Sequence, residues 1–141
     1  MTTVGQVRTK RELEYIKEKL MLLNIDFATP SHAETDFRSK NIKMYALRKD
    51  GTPIAICSVV RDNDFHYNAL KRMVILDAEN RGKGYAKRIT TAIVRKQDGD
   101  CGCTPWATNV CCQKMLASLG FEYQYTFNEI WTFWKIKKNN A

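Results

Sequence analysis

No apolar run in this chain approaches the roughly 20 residues that a membrane-spanning helix needs. The N-terminal stretch MTTVGQVRTKRELEY lacks the apolar centre of a secretory signal. Both absences point to a soluble, cytoplasmic protein with no membrane partner. Cysteine is present, but without the patterns that usually give it work. Cys57, Cys101, Cys103, Cys111 and Cys112 make an odd number, and with no export signal a disulfide framework is not expected. The CxxC spacing of structural zinc sites is missing. Cys111 and Cys112 are adjacent, and neighbours on a helix point about 100° apart. They would converge poorly with Cys101 and Cys103, so reduced thiols and no metal are expected. There is no internal repeat, linker or low-complexity tract. A length of 141 residues suits a single domain over residues 1–141.

Negative charge is also scarce. There are 23 basic and 15 acidic residues, a net charge of +8. Residues 71–96 carry eight basic side chains (Lys71, Arg72, Arg81, Lys83, Lys87, Arg88, Arg95, Lys96) against Asp77 and Glu79. Six of the eight net charges therefore sit in one segment. Such a field attracts polyphosphates or a nucleic-acid backbone, and disfavours a strongly cationic substrate.

The same segment has the clearest local pattern. Met73 to Leu76 is a short apolar run, consistent with a buried strand. Ala86, Ile89 and Ile93 recur at helical spacing, with Lys87, Arg88, Thr91 and Arg95 on other faces. A polar bend with Gly82 and Gly84 joins them. The expected unit is strand, tight turn, helix. The first turn of a helix has backbone N–H groups without intrahelical partners and carries partial positive charge. Glycines let a bulky ligand reach that backbone. Such a turn suits phosphate, and Arg81, Lys83 and Lys87 add full charges.

The phosphate loop of nucleotide hydrolases, GxxxxGK followed by Ser or Thr, is absent. The dinucleotide fingerprint GxGxxG fails because Lys87 holds its third glycine position. What remains is Arg81-Gly82-Lys83-Gly84-Tyr85-Ala86: Arg, two free positions, Gly, one free position, Ala. This resembles the acetyl-CoA pyrophosphate loop of the GNAT superfamily of N-acyltransferases. A second segment, Asn109 through Leu119-Gly120-Phe121, resembles the later family element in which an Asn opens a helix ending in Leu-Gly-Phe.

The resemblance implies an α/β, GNAT-type mixed central sheet with splayed middle strands, flanked by helices. It implies transfer of an acetyl or related acyl group from acetyl-CoA to an amine by direct attack. The acceptor would be an amine-bearing small molecule, a polypeptide or, less favoured, a nucleobase. Residues 82–87 (Gly82, Lys83, Gly84, Tyr85, Ala86, Lys87) and Arg81 would hold the pyrophosphate. Val74, Ile75 and Leu76 would offer a strand edge to the pantetheine arm, with the N–H of Ile75 or Leu76 polarising the thioester. Asn109 would contact the arm. Two positions depart from the family: Leu116 stands where many members have an acidic tyrosine, and Thr104 where some have a glutamate base. Tyr125 and Tyr123 as acids, and His66 and Glu79 as bases, are the local substitutes. A covalent acyl step on Cys111 or Cys112 is the less favoured route. Two alternatives stand beside this reading. One is a basic nucleic-acid-binding module using residues 71–96 and the terminal aromatics, which leaves Asn109 unexplained. The other is a CoA-binding domain without catalysis.

Elsewhere the patterns are structural. Residues 9–23 read as an amphipathic helix capped by Thr9, with Leu13, Ile16, Leu20 and Leu23 as its stripe. Ser31 with Glu34 reads as a capping box for a second helix; His32 and Glu34 are at most substrate contacts. Residues 42–47 and 53–60 read as strands joined by Asp50-Gly51, and residues 65–70 lead into the central strand. Residues 121–127 and 130–136 read as an aromatic hairpin, with Phe121, Tyr123, Tyr125 and Phe127 on one face. Trp131 and Trp134 fall on opposite faces, which frees one for a homodimer contact. Residues 137–141 are expected to fray.

Overall fold

A computed structural model describes residues 1–64 and 66–138. Phe65, expected to lead into the central strand, and Asn139, Asn140 and Ala141 of the expected frayed tail lie outside the described residues. The elements are β1 (Thr2–Gln6), α1 (Lys10–Leu23), α2 (Pro30–Arg38), β2 (Ile42–Lys49), β3 (Thr52–Asp62), β4 (Tyr67–Ile75), a 3-10 turn (Ala78–Asn80), α3 (Tyr85–Lys96), β5 (Cys101–Cys103), α4 (Val110–Ser118), β6 (Glu122–Phe127) and β7 (Trp131–Ile136). The strands form one sheet in the order β1-β2-β3-β4-β5-β7-β6. Every pairing is antiparallel except β4 with β5. Parallel neighbours need a crossover, and α3 supplies it.

Two apolar clusters, one on each face of the sheet, follow from this order. Leu13, Ile16 and Leu20 of α1 and Ala33 of α2 pack on Met44, Ala46, Ile56, Val74 and Leu76. Ile89 and Ile93 of α3 and Leu116 of α4 pack on Tyr45, Leu47, Cys57, Val59 and Leu70. The alternation of β4 thus sends Val74 to one face and Ile75 to the other. No helix among the described residues is long and apolar enough to cross a membrane.

Local chemistry explains most boundaries. Thr9 Oγ1 accepts from the Glu12 N–H and starts α1. Asp50 and Gly51 both have positive φ, 51° and 86°, as a two-residue hairpin turn between β2 and β3 requires. The start of α2 differs from the expectation. Thr29, not Ser31, is the cap, Pro30 takes the first helical position, and the His32 ring accepts from the Thr29 N–H at 3.0 Å. Ser31 lies two residues past the cap position, inside the first turn of the helix. Glu34 instead faces α1. β1 has no counterpart in the sequence patterns, because Val4 alone among its residues is a strong apolar signal. Its pairing of residues 2–6 with 45–49 of β2 is a tertiary event. In β6 a register shift between Tyr123 and Tyr125 inserts an extra residue. Tyr123 therefore meets Trp134, while Tyr125 meets Phe133 on the other face. The expected single aromatic face is split by that bulge.

Glu34 joins α1 to α2. Its carboxylate accepts from Lys17 Nζ and from Arg38 Nε, both at 2.8 Å. The Lys17 hydrogen bond, then that of Arg38, lowers its pKa from 4.5 to about 2. A depressed carboxylate contributes stability above its unfolded pKa and loses it as pH falls through the folded one. Urea unfolding should therefore show stability declining between pH 4.5 and about 2. Glu34→Gln should flatten part of that decline while leaving the neutral-pH transition cooperative.

Candidate functional site

The middle of the sheet opens on one side. β4 pairs with β3 as far as Ile75, but with β5 only at Asn68–Cys101 and Ala69–Gly102. Beyond Cys103 the chain stays with β7 instead. Thr132 donates to the Pro105 carbonyl from both its N–H (3.0 Å) and its Oγ1 (2.9 Å), Trp106 bridges Trp131, and the Ala107 N–H donates to Ile130 at 2.7 Å. β5 and its extension thus follow β7 while β4 follows β3. The edge of β4 from Leu70 to Ile75 has no ladder partner on that side among the described residues.

The glycine-containing turn sits at this open end. Gly82 and Gly84 have φ of 72° and 82°, a region that L side chains rarely adopt. A Cβ added at either would meet nothing within 4 Å, so the space over both is open. Gly84 caps α3 without a side-chain hydrogen bond. The first donor that finds a protein acceptor is Arg88 N–H, bonded to the Gly84 carbonyl at 3.1 Å. Among the described residues, none of the N–H groups of Gly82, Lys83, Gly84, Tyr85, Ala86 and Lys87 is taken by a protein oxygen. Arg81, Lys83 and Lys87 form no ion pair there. Unpaired main-chain donors, absent Cβ atoms and uncompensated positive charge fit a diphosphate.

Strand parity sorts the β4 candidates. The Leu76 N–H donates to the Ile54 carbonyl at 2.9 Å. It is committed to the β3 side and cannot polarise a ligand in the gap, which corrects the expectation for Leu76. Alternation turns the Val74 N–H the same way and leaves Ile75 facing the gap.

Sequence reasoning missed the group that shapes this edge. Four residues of β4, from Val74 back to Lys71, span three of β3, from Ile56 to Ser58. The extra residue is a bulge, and Arg72 within it has φ of 54°. Its Nη1 lies 3.0 Å from both carboxylate oxygens of Asp36 on α2, and Ser58 Oγ donates to the same carboxylate at 2.8 Å. Asp36 is 1% exposed. One signal could have found it. Ala33, Asp36 and Phe37 share the inward stripe of α2, and an acid on a buried stripe demands a cation.

The remaining candidates are scattered. Asn109 caps α4 through Oδ1, which accepts from the Cys112 N–H at 3.2 Å, so only its Nδ2 is free to donate. Gln113 Nε2 donates to the carbonyls of Trp106 and Ala107 and holds the turn before it. Leu116 is wholly buried, and Thr104 is exposed. Glu79 is exposed in the 3-10 turn between β4 and the glycine turn. His66 precedes β4 at its far end, nine residues from Ile75, which is about 30 Å along a strand. That distance removes it as a base for chemistry at the gap. Tyr125 lies on the outer strand β6, its ring 5.4 Å from that of Phe133. Burial pushes the Cys57 thiol up to about 12 and raises Cys112 as well. A thiolate is the reactive form, so neither is poised as a nucleophile. Cys111 is exposed on α4. No cluster of three or more metal-ligating side chains occurs among the described residues.

Solved structures share this fold. The ribosomal-protein-S18-alanine N-acetyltransferase of Escherichia coli superposes with a TM-score of 0.78 at 13% identity, covering 100% of this chain and 96% of that one. The chain has the GNAT fold. An acetyltransferase from Thermus thermophilus gives 0.76 at 12% identity, covering 98% and 97%. Arabidopsis thaliana NAA60, in complex with a bisubstrate analogue, gives 0.74 at 11% identity and covers both chains fully. No protein-family model and no curated protein sequence matches the chain. The GNAT likeness thus rests on backbone architecture, and the expected mixed sheet with splayed middle strands is present.

Truncating the bulge residue would leave a carboxylate buried with Ser58 as its one remaining partner among the described residues. Arg72→Ala should cost about 3 kcal/mol, at the low end for a broken buried pair because the guanidinium is partly exposed. Denaturant midpoints at constant slope would measure it. A change below about 1 kcal/mol would show that the pair does not hold the bulge.

Proposed function

We propose that this protein is an N-acyltransferase that moves an acetyl or related acyl group from acetyl-CoA to an amine. The observation that carries the proposal is the run of unclaimed N–H groups over residues 82–87, set at the open end of the gap beside β4. Acetyl-CoA, when bound, supplies an acyl thioester. The protein's part is to hold, orient and polarise. The N–H groups of residues 82–87, with Arg81, Lys83 and Lys87, would grip the diphosphate. The free edge of β4 would pair with amides of the pantetheine arm, and Asn109 Nδ2 would add a donor. The Ile75 N–H is the group left to stabilise developing negative charge on the carbonyl oxygen. A thiol has a pKa near ~8.5, so its anion leaves without a strong acid. That suits a chain with Leu116 and Thr104 where family members often keep Tyr and Glu. Glu79 is the candidate base nearest the turn in sequence. Tyr125 is a weaker acid candidate on β6. The acceptor would be an amine of a small molecule or a polypeptide.

A second reading, CoA binding without catalysis, is favoured by one observation: Leu116, which stands where many family members have the acidic tyrosine, is sealed in the core.

Calorimetry with acetyl-CoA tests the first half. Saturable binding is expected, weakened about tenfold or more by Gly84→Glu, since that side chain adds strain at a positive φ and fills the open space. Absence of binding by the wild type would end both readings. Thiol release across a panel of amines and peptides tests the second half. Binding without release from any acceptor would favour the carrier-binding reading.

A further inference from the structure

The cations of α3 do not all belong to the gap. A groove of about 640 Å³ runs between β1 and the outer side of α3. Lys83, Lys87, Arg88, Arg95 and Lys96 line it, together with Thr2 and Thr3, and no acidic residue does. None of the five cations makes an ion pair among the described residues. The paired cations join elements: Arg48 with Glu12, Arg72 with Asp36, Lys17 with Glu34, Lys19 with Asp77. What sets the groove apart is five cations in one lining with no acid among them, and their mutual repulsion destabilises the free protein.

The β1 side of the groove is remote from the gap. β1 is one edge of the sheet, and β2 and β3 separate it from β4. Three strand spacings amount to roughly 14 Å. Arg95 and Lys96 lie in the last turn of α3, furthest from residues 82–84. A diphosphate seated on the first turn would leave them unmatched.

We infer that this groove docks the phosphodiester backbone of a duplex nucleic acid. The lining offers charge and the hydroxyls of Thr2, Thr3, Tyr85 and Thr91, with apolar contributions from Val4, Leu47, Ala92 and the Tyr85 ring. Protein partners are held chiefly by large buried anchors, which this groove has no deep pocket to receive. Single strands are held by base stacking on exposed aromatics. The exposed aromatics among the described residues are Phe27, Trp106, Tyr123, Tyr125 and Phe127, and none of them lines the groove. A duplex needs neither. It presents one negative charge per about 1.7 Å of axis, and α3 offers cations over about 17 Å of helix. Lys83 and Lys87 line both this groove and the turn assigned to the diphosphate, so Arg88, Arg95 and Lys96 are the cations that distinguish this inference from the acyl-transfer reading.

Fluorescence anisotropy with a labelled 20-base-pair duplex, as DNA and as RNA, tests it on the full chain. Five phosphate contacts predict a salt slope of about −4.5, hence a loss of roughly 20-fold when salt doubles. Arg95→Glu with Lys96→Glu should reduce the slope by about 2 and weaken binding at least about tenfold, with acetyl-CoA calorimetry unchanged. If that variant misfolds, Arg95→Gln with Lys96→Gln should give the same loss of slope. At saturating CoA, which would occupy Lys83 and Lys87, duplex binding should persist through Arg88, Arg95 and Lys96 with the slope reduced by about 2, and without CoA it should exceed that of polyglutamate and of single strands. Equal binding by the variants, complete displacement by CoA, or equal or tighter binding of polyglutamate or a single strand would overturn the inference.

Discussion

After Ala69, β4 and β5 stop sharing a ladder, and the rest of the candidate site is placed by that divergence. A sheet interior normally leaves no backbone group unpaired. Here β5 continues alongside β7 through Pro105 and Ala107, while β4 continues alongside β3. The separation exposes one edge of β4 to a ligand. It also sets the start of α3 at the open end, because the crossover from β4 to β5 must begin where β4 ends. A wedge lined by main-chain donors is the geometric result.

The wedge is braced from the far face. Arg72 occupies a left-handed conformation that costs a residue of its type about 1 kcal/mol or more. Its guanidinium reaches a carboxylate buried on α2, and Ser58 of β3 holds the same carboxylate. One ion pair therefore ties the bulge in β4 to a helix and to the neighbouring strand. On the other face, Ile89 and Ile93 seat α3 against the sheet, so the N-terminal turn is held by core packing rather than by its own loop.

Charge is divided between two uses. Paired cations join elements, as Arg48 does with Glu12 and Lys17 with Glu34. Five cations with no acid among them line the groove beside α3 and the turn before it. Their helix has one end beside the gap and one side along β1, so a single positive segment can serve two anionic surfaces that meet at Lys83 and Lys87. The expected combination of this segment with the terminal aromatics into one surface does not occur, because β6 and β7 lie beyond the gap and β1 at the opposite edge.

Much of this was legible in the residues themselves. The turn at Gly82 and Gly84, the cap at Thr9, the Asp50-Gly51 hairpin and the apolar stripes of α1 and α3 are local features, set by φ preferences, hydrogen-bonding side chains and period. Those signals act within a few residues, so a linear reading finds them. Where the reading failed, the deciding contact was distant in the chain. β1 forms because β2 is available to pair with it. The bulge at Gln124 divides the β6 aromatics, and the Ile54 carbonyl claims the Leu76 N–H. Asp36 meets Arg72 across 36 residues. The sequence by itself determined that a helix would begin at a bare, glycine-opened turn rich in positive charge. Only the tertiary structure decided which backbone groups beside that turn remain free, because strand register and the parting of two strands depend on every partner in the sheet at once.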